Sequence, residues 1–172
     1  MNISIYIATS ANGFISNMRN APDWLSPEYG RGFVEICQSK KAVIMGKKTY
    51  DILAPDFLPL KDKGISVVLT THTDIEPANP TVVFTSAPPE EIVSMLEKRG
   101  FTEAVIIGGT TAMSEFANAG LVNDIFMVVE PILFGGEPLP LLKGVARDFK
   151  LNLADSTKLN DNTLQLHYRL VG

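Results

Sequence analysis

The amino-acid sequence predicts one α/β domain in which a mainly parallel sheet is covered by helices and closed at one edge by a C-terminal antiparallel hairpin. Three observations carry this. Six short, nearly all-apolar runs recur along the chain, as strands buried on both faces do: Ile3–Ala8, Lys41–Met45, Ile65–Leu69, Thr81–Phe84, Ala104–Ile107 and Ile125–Val129. Helix-like stretches separate them, the alternation expected of βαβ units. The tail then changes period: Phe149, Leu151 and Leu153 alternate with polar residues, as do Leu164, Leu166, Tyr168 and Leu170, with Asn160-Asp161-Asn162 as the turn between.

Taken in order, the first helix starts at the pair Ser26-Pro27, an N-cap followed by a proline at N1. Tyr29, Phe33, Ile36 and Cys37 then share one face, with Gly30 and Gly32 weakening the helix. A short helix covers Lys47–Leu53. The next runs from Pro88 to Arg99, its Glu90 and Glu91 near the positive end, its Lys98 and Arg99 near the negative end, and Gly100 as the stop. A fourth covers about Thr110–Ala119, burying Met113 and Phe116 and ending at Gly120. The loops Ala54–Gly64 and Leu133–Gly144 are rich in Pro and Gly but too short to separate two domains, so residues 1–172 read as a single domain.

The chain has 172 residues, 45% of them hydrophobic, enough for a core that needs neither disulfides nor a structural metal. Its one cysteine, Cys37, forms no internal bridge and suits a reducing, cytoplasmic location. A net charge of -4 without a basic run argues against nucleic acid or an anionic membrane as partner. No apolar stretch approaches a membrane span, and the N-terminus lacks a signal-peptide pattern. The motifs of P-loop NTPases, standard dinucleotide folds, α/β-hydrolases and zincins are missing. No metal site is expected, since His72 and His167 are far apart and His167 reads as an exposed strand histidine.

In open α/β sheets ligands bind beyond the carboxyl ends of the strands. After the fifth run, Ile107-Gly108-Gly109-Thr110-Thr111 opens a helix, and glycines let the backbone approach a phosphate at the helix N-terminus. After the second, Gly46-Lys47-Lys48-Thr49 opens another helix with two ammonium groups and a hydroxyl. After the third, Leu69 is followed by Thr70, Thr71 and His72, small donors suited to an adenosine phosphate. Each signal alone is also an ordinary turn or solvated helix start; their common position along one edge is what a dinucleotide needs.

The segments Val43–Tyr50, Val68–Thr71 and Val105–Gly109 resemble, in order and spacing, the three cofactor-side segments of dihydrofolate reductases. The stretch Ile107–Asp124, followed by Glu130-Pro131-Ile132-Leu133-Phe134-Gly135-Gly136, is closer to the reductase domain of bacterial riboflavin biosynthesis. The likeness spans Ile5 to Leu170. It implies a dihydrofolate reductase-like three-layer α/β/α fold, NADPH as cofactor and a homodimer; the apolar segment Ile125–Phe134 and the Pro-rich Gly136–Leu142 loop read, on their own composition, as an assembly surface. Carried over by position, it also implies that Ala8 and Ile15 border the nicotinamide, with Asn12, Gly13 and Ser16 in a mobile loop beside it. Lys47, Thr70 and Thr71 would meet the 2′-phosphate, Lys48 and Thr49 the pyrophosphate, and Gly108, Gly109, Thr110 and Thr111 its other wall.

On the substrate side the sequence departs from the folate enzymes. Their pterin-holding acid falls at Tyr29, one residue from Glu28, and one residue is a rotation of about 100° on a helix. Tyr29 is expected in the pocket and Glu28 nearer its rim. Tyr29, Glu28 and Glu130 are the catalytic candidates, Glu130 because a carboxylate ending an apolar strand is seldom buried without purpose. Asn12, Asp23, Trp24 and Phe33 are the substrate-side candidates. Asp23 and Glu28 read equally as ordinary loop and first-turn charges, and Trp24 as a loop anchor or a ring-stacking platform. The expected function is NADPH-dependent reduction of a small pteridine- or pyrimidine-like heterocycle, of the 5-amino-6-(5-phosphoribosylamino)uracil reductase or dihydrofolate reductase type. The alternative is a non-catalytic nucleotide-binding or regulatory protein on the same fold.

Overall fold

A computed structural model describes residues 1–171 except 20, 55, 56, 59, 61–63 and 78. Much of the Pro-rich loop between Ala54 and Gly64 therefore lies outside the described residues. In chain order the elements are β1 (Asn2–Ser10), β2 (Phe14–Ser16), α1 (Pro27–Lys40), β3 (Ala42–Gly46), α2 (Lys47–Leu53), β4 (Ile65–Leu69) and β5 (Val82–Thr85). They continue with α3 (Pro89–Lys98), β6 (Glu103–Ile106), α4 (Thr110–Asn118), β7 (Asp124–Glu130), β8 (Leu139–Pro140), β9 (Leu151–Lys158) and β10 (Leu164–Leu170).

The main sheet has the order β5-β4-β3-β6-β1-β7-β10-β9. Pairing is parallel from β5 through β7, and β10 joins antiparallel between β7 and β9. The carboxyl ends of β3, β4, β6, β1 and β7 therefore open at one edge. Alternation is hidden in these strands because both faces are covered. Ile3, Ile5, Ile44, Val67 and Ile106 face a core completed by Ile92 and Leu96 of α3 and by Met113 and Phe116 of α4. Tyr6, Ala8, Val43, Met45 and Val105 face a second core completed by Tyr29 and Cys37 of α1, with Tyr50 and Leu53 of α2 at its margin. This is the three-layer α/β/α arrangement. Phe116, buried completely, contributes about 1.5–3 kcal/mol by burial alone. Burial also pushes the Cys37 thiol up to about 12, so it stays a packed apolar group.

α1 begins as its sequence dictates. Ser26 is the N-cap, its hydroxyl oxygen accepting from the Tyr29 amide at 3.1 Å, and Pro27 occupies the first turn. It ends at Lys41, whose left-handed φ of 60° lets its amide reach the Cys37 carbonyl. Lys41 thus caps the helix, where the sequence placed it in the next strand. Gly32 has a packing reason: a Cβ there would lie 2.4 Å from the Tyr6 hydroxyl oxygen.

Two short strands escaped the sequence reading. β2 and β8 pair antiparallel as a separate ribbon, through Phe14 with Pro140 and Ser16 with Leu139; runs so short carry no period. Phe149 precedes the strand it was expected to open. His167 is not an exposed strand histidine: it is half-buried, stacks on Phe126 with ring centroids 4.2 Å apart, and meets Asp124 at 2.7 Å. The segment Ile125–Phe134 begins as an interior strand, with Ile125 and Val128 buried. Among the described residues no helix is long and apolar enough to cross a membrane.

Gly32→Ala should cost about 1–2 kcal/mol in denaturant unfolding, because crowding against Tyr6 outweighs the gain in helix propensity. In a Tyr6→Phe background the same substitution should cost about 1 kcal/mol less; equal losses in both backgrounds would show that the hydroxyl does not set this position.

Candidate functional site

Three turns follow the carboxyl ends of adjacent strands. The β3 turn and the β6 turn are tied directly, the Gly46 amide donating to the Gly108 carbonyl at 2.9 Å. Gly108 has a φ of +120° and its peptide bond to Gly109 is cis. A Cβ on Gly46 would lie 3.6 Å from the Gly109 nitrogen, and one on Gly108 would lie 3.5 Å from the Thr49 hydroxyl oxygen. Glycine at these positions keeps open the gap between the turns that any side chain would fill. Gly109 caps α4 with no side-chain hydrogen bond, so the first amides of that helix lack partners within it and its positive end faces the gap.

Around this gap the polar groups are held loosely. Lys47 pairs with Asp51 at 2.5 Å and lies 5.7 Å from the centroid of the Tyr50 ring. A partly exposed pair of this kind is worth at most about 1 kcal/mol and opens readily. Lys48, Thr71 and Thr111 are exposed. Leu69 ends β4, and the Thr70 hydroxyl accepts from the His72 amide at 3.1 Å. Thr110 instead donates its hydroxyl to the Pro140 carbonyl at 2.6 Å, fixing the β8 ribbon to the start of α4. Ile107 is buried and its amide bonds to the Ile44 carbonyl. Ala8 is buried at the end of β1, while Ile15 and Ser16 sit in β2.

The loop after β1 is fastened. Asn12 donates to the Phe134 carbonyl at 2.9 Å and accepts from the Phe134 amide at 3.1 Å. Its side-chain oxygen also accepts from Ser10, and the Ser10 hydroxyl oxygen accepts from the Phe14 amide.

Beyond this loop lies an aromatic group. Tyr29 stacks on Tyr6 with centroids 5.2 Å apart; Phe33 lies 6.0 Å from Tyr29 and 5.1 Å from Phe57. Trp24 meets Phe134 edge-on at 5.0 Å. Burial, and then the neighbouring Tyr6, pushes the Tyr29 phenol far above its ordinary range, with the Ala8 backbone pulling weakly the other way. Burial does the same to Tyr6. Tyr29 therefore keeps its proton at neutral pH and acts as a hydrogen-bonding phenol.

The carboxylates divide by environment. Asp23 is exposed and pairs with Arg19 at 3.3 Å. Glu28 accepts from Asn160 at 2.8 Å and from Arg31 at 2.8 Å, and the Asn160 hydrogen bond, ahead of the backbone and Arg31, holds it below the usual carboxylate range. Glu130, 1% exposed, accepts from the Ser26 amide at 3.0 Å, the Ser26 hydroxyl at 2.7 Å and the Thr163 hydroxyl at 3.2 Å. Tyr6, Asn160 and Thr163 escaped the sequence reading. Tyr6 looks like core in an apolar strand, and the other two look like turn residues until the hairpin brings them to α1.

The sequence matches the family model of the RibD C-terminal domain over residues 2–164, and the chain belongs to that family. The Bacillus subtilis (strain 168) protein YwjB is 26% identical to it over 170 residues, 95% of either chain. Among solved structures, a Shewanella sp. PV-4 protein assigned to riboflavin biosynthesis superposes over all of both chains with a TM-score of 0.86 and 24% identity. The Thermotoga maritima diaminohydroxyphosphoribosylaminopyrimidine deaminase/5-amino-6-(5-phosphoribosylamino)uracil reductase matches 99% of this chain with a TM-score of 0.78 and 18% identity. This chain corresponds to 56% of that longer protein. The fold and family are thus those of riboflavin-pathway reductase-like proteins.

Because Glu28 is more acidic in the folded chain than an ordinary glutamate, it contributes stability that is present above its unfolded pKa and lost as pH falls through the folded value. Glu28→Gln should therefore unfold more easily than wild type at pH 6–7, and the difference should vanish in acid; a difference that grows below pH 4 would contradict the assignment.

Proposed function

We propose that the protein is an NADPH-dependent reductase of a small pteridine- or pyrimidine-like heterocycle. The observation that carries the reading is the joining of the β3 and β6 turns through glycines, with the Thr49 hydroxyl, the positive end of α4 and the cations of α2 around the gap. The polar groups suit an anionic cofactor: Lys47, with Thr70 and Thr71, would hold the 2′-phosphate. Lys48, Thr49 and the Gly108–Thr111 turn would hold the pyrophosphate, and Ala8, Ile15 and Ser16 would border the nicotinamide. Bound there, the cofactor supplies a hydride. The chain's own part is to orient a flat ring with Trp24, Phe33 and Tyr29 and to exclude water. Asn12, through the loop it fastens to Phe134, and Asp23 would flank the same edge. The proton for the reduced product would come from water or from the substrate's protonated form, with the Tyr29 hydroxyl or Glu28 placing it, since neither a high-pKa phenol nor an ionised carboxylate is a strong acid at pH 7. The single buried thiol suits a cytoplasmic protein.

A second reading keeps the fold and the nucleotide but not the turnover. What favours it is Tyr29, a group that holds its proton, at the position matching the pterin-holding acid of dihydrofolate reductases. Cofactor oxidation with pterins, flavins and pyrimidines, against binding alone, separates the two.

The partner we propose, besides substrate, is a second copy of the chain. β9 is an edge strand with every residue exposed. Register places Leu151 and Leu153 on the same sheet face as Leu166, Leu164, Met127 and Val129, and Leu151, Leu153 and Leu164 are 38%, 57% and 40% exposed. Exposed leucines beside a free edge are what a symmetric dimer buries. The protein should sediment as a dimer and Leu153→Lys as a monomer; a wild-type monomer throughout the micromolar range would refute this.

Thermal unfolding with NADPH, NADH or flavin mononucleotide tests the main reading. NADPH should raise the midpoint most, and Lys47→Ala should weaken NADPH about tenfold while leaving NADH nearly unchanged. No shift with NADPH would remove the reading; equal losses for both cofactors would mean that Lys47 does not read the 2′-phosphate.

A further inference from the structure

We propose that Glu130 is a positioning residue that sets the first turn of α1, and through it Tyr29 and the Trp24 loop, over the end of β1. The consequence for substrate rests on the reductase reading above; the geometry does not. Glu130 ends β7, opposite Ser10 on β1, and is buried without an ion-pair partner among the described residues. A lone carboxylate there is costly unless donors compensate it. Three do. One oxygen takes both the amide and the hydroxyl of Ser26, and the other takes the Thr163 hydroxyl. Because Ser26 gives its proton to Glu130, its oxygen remains free to accept from the Tyr29 amide. The carboxylate thus fixes the N-cap itself, and it sits at the positive end of a 14-residue helix.

Two further contacts grip the same turn. Glu28 accepts from Asn160, whose side-chain oxygen accepts the amides of Asn162 and Thr163, so the β9–β10 turn that supplies Thr163 to Glu130 also supplies Asn160 to Glu28. From below, the Tyr6 hydroxyl donates to the Tyr29 carbonyl at 3.2 Å. β1, β7 and the hairpin thus converge on residues 26–29, the stretch that presents Tyr29. Trp24, two residues before Ser26 and edge-on to Phe134, is the only tryptophan of the chain and reports on this anchor.

The test compares Glu130→Leu, Glu130→Gln and Thr163→Val by Trp24 emission under native conditions and by amide hydrogen exchange. Glu130→Leu should shift the Trp24 emission to the red and speed exchange of the Ser26 and Tyr29 amides about tenfold or more, with β3 and β6 unchanged. Glu130→Gln keeps a carbonyl acceptor for Ser26 and should restore the wild-type spectrum and most of the protection. Thr163→Val, which removes one hydrogen bond and leaves Ser26 held, should loosen the same amides by a few-fold and remains informative if Glu130→Leu does not fold. The proposal is overturned by unchanged emission and exchange in Thr163→Val, by exchange rising uniformly over the protein in Glu130→Leu, or by Glu130→Gln behaving like Glu130→Leu. NADPH binding by the wild-type protein is measured alongside: its absence removes the reductase reading and leaves the assignment of Glu130 to be decided by these spectra.

Discussion

The hydrogen bond from the Gly46 amide to the Gly108 carbonyl is the contact on which the site depends. It extends the pairing of β3 with β6 past the end of the strands, so two loops that would otherwise diverge stay together. Glycine on both sides leaves the Thr49 hydroxyl as the side chain nearest the junction on the β6 side, and the helices that follow begin there without side-chain caps. Backbone donors and positive helix ends thereby meet at one place on the sheet edge. The rest of the architecture serves this: β1 between β6 and β7 carries its own end to the same edge, and the two apolar layers hold the strands in register.

The neighbouring region is built on a different economy of polar groups. The Tyr29 phenol packs on a second phenol, Tyr6, in a site that disfavours ionisation of either. The nearby carboxylates are occupied: Glu28 binds the hairpin turn and Arg31, and Glu130 binds the cap of α1. Charge is used here to fix the backbone, and the aromatic rings pack on one another beside it. That division fits a reaction in which the cofactor carries the bond change and the protein supplies shape.

The sequence reveals the sheet because its strands are buried on both faces, which makes them continuous apolar runs, and because Ser26-Pro27 and Gly120 mark helix ends. The three strand-end turns are legible for the same reason: they follow those runs directly. The β2–β8 ribbon is not, since three residues against two have no period and their pairing depends on a loop that only tertiary contacts place. Nor are the roles of Asn12, Glu130, Asn160 and Thr163. Their partners lie 122, 104, 132 and 33 residues away, and nothing local distinguishes a turn asparagine from one that clamps a helix. Tyr6 is hidden because a strand tyrosine and a core tyrosine look alike until Gly32 is seen to leave room for its hydroxyl.

The central claim is that reduced dinucleotide lies along the edge shared by these turns, with its nicotinamide toward the end of β1 and the Trp24 loop. The most direct measurement is a titration of the protein with NADPH while exciting Trp24. The account predicts saturable loss of tryptophan emission with matching sensitised emission from the nicotinamide, reversed by adenosine 2′,5′-bisphosphate competing at the Lys47 and Thr70 turns. Emission that stays unchanged to millimolar NADPH, or a transfer signal that the bisphosphate does not reverse, would contradict it.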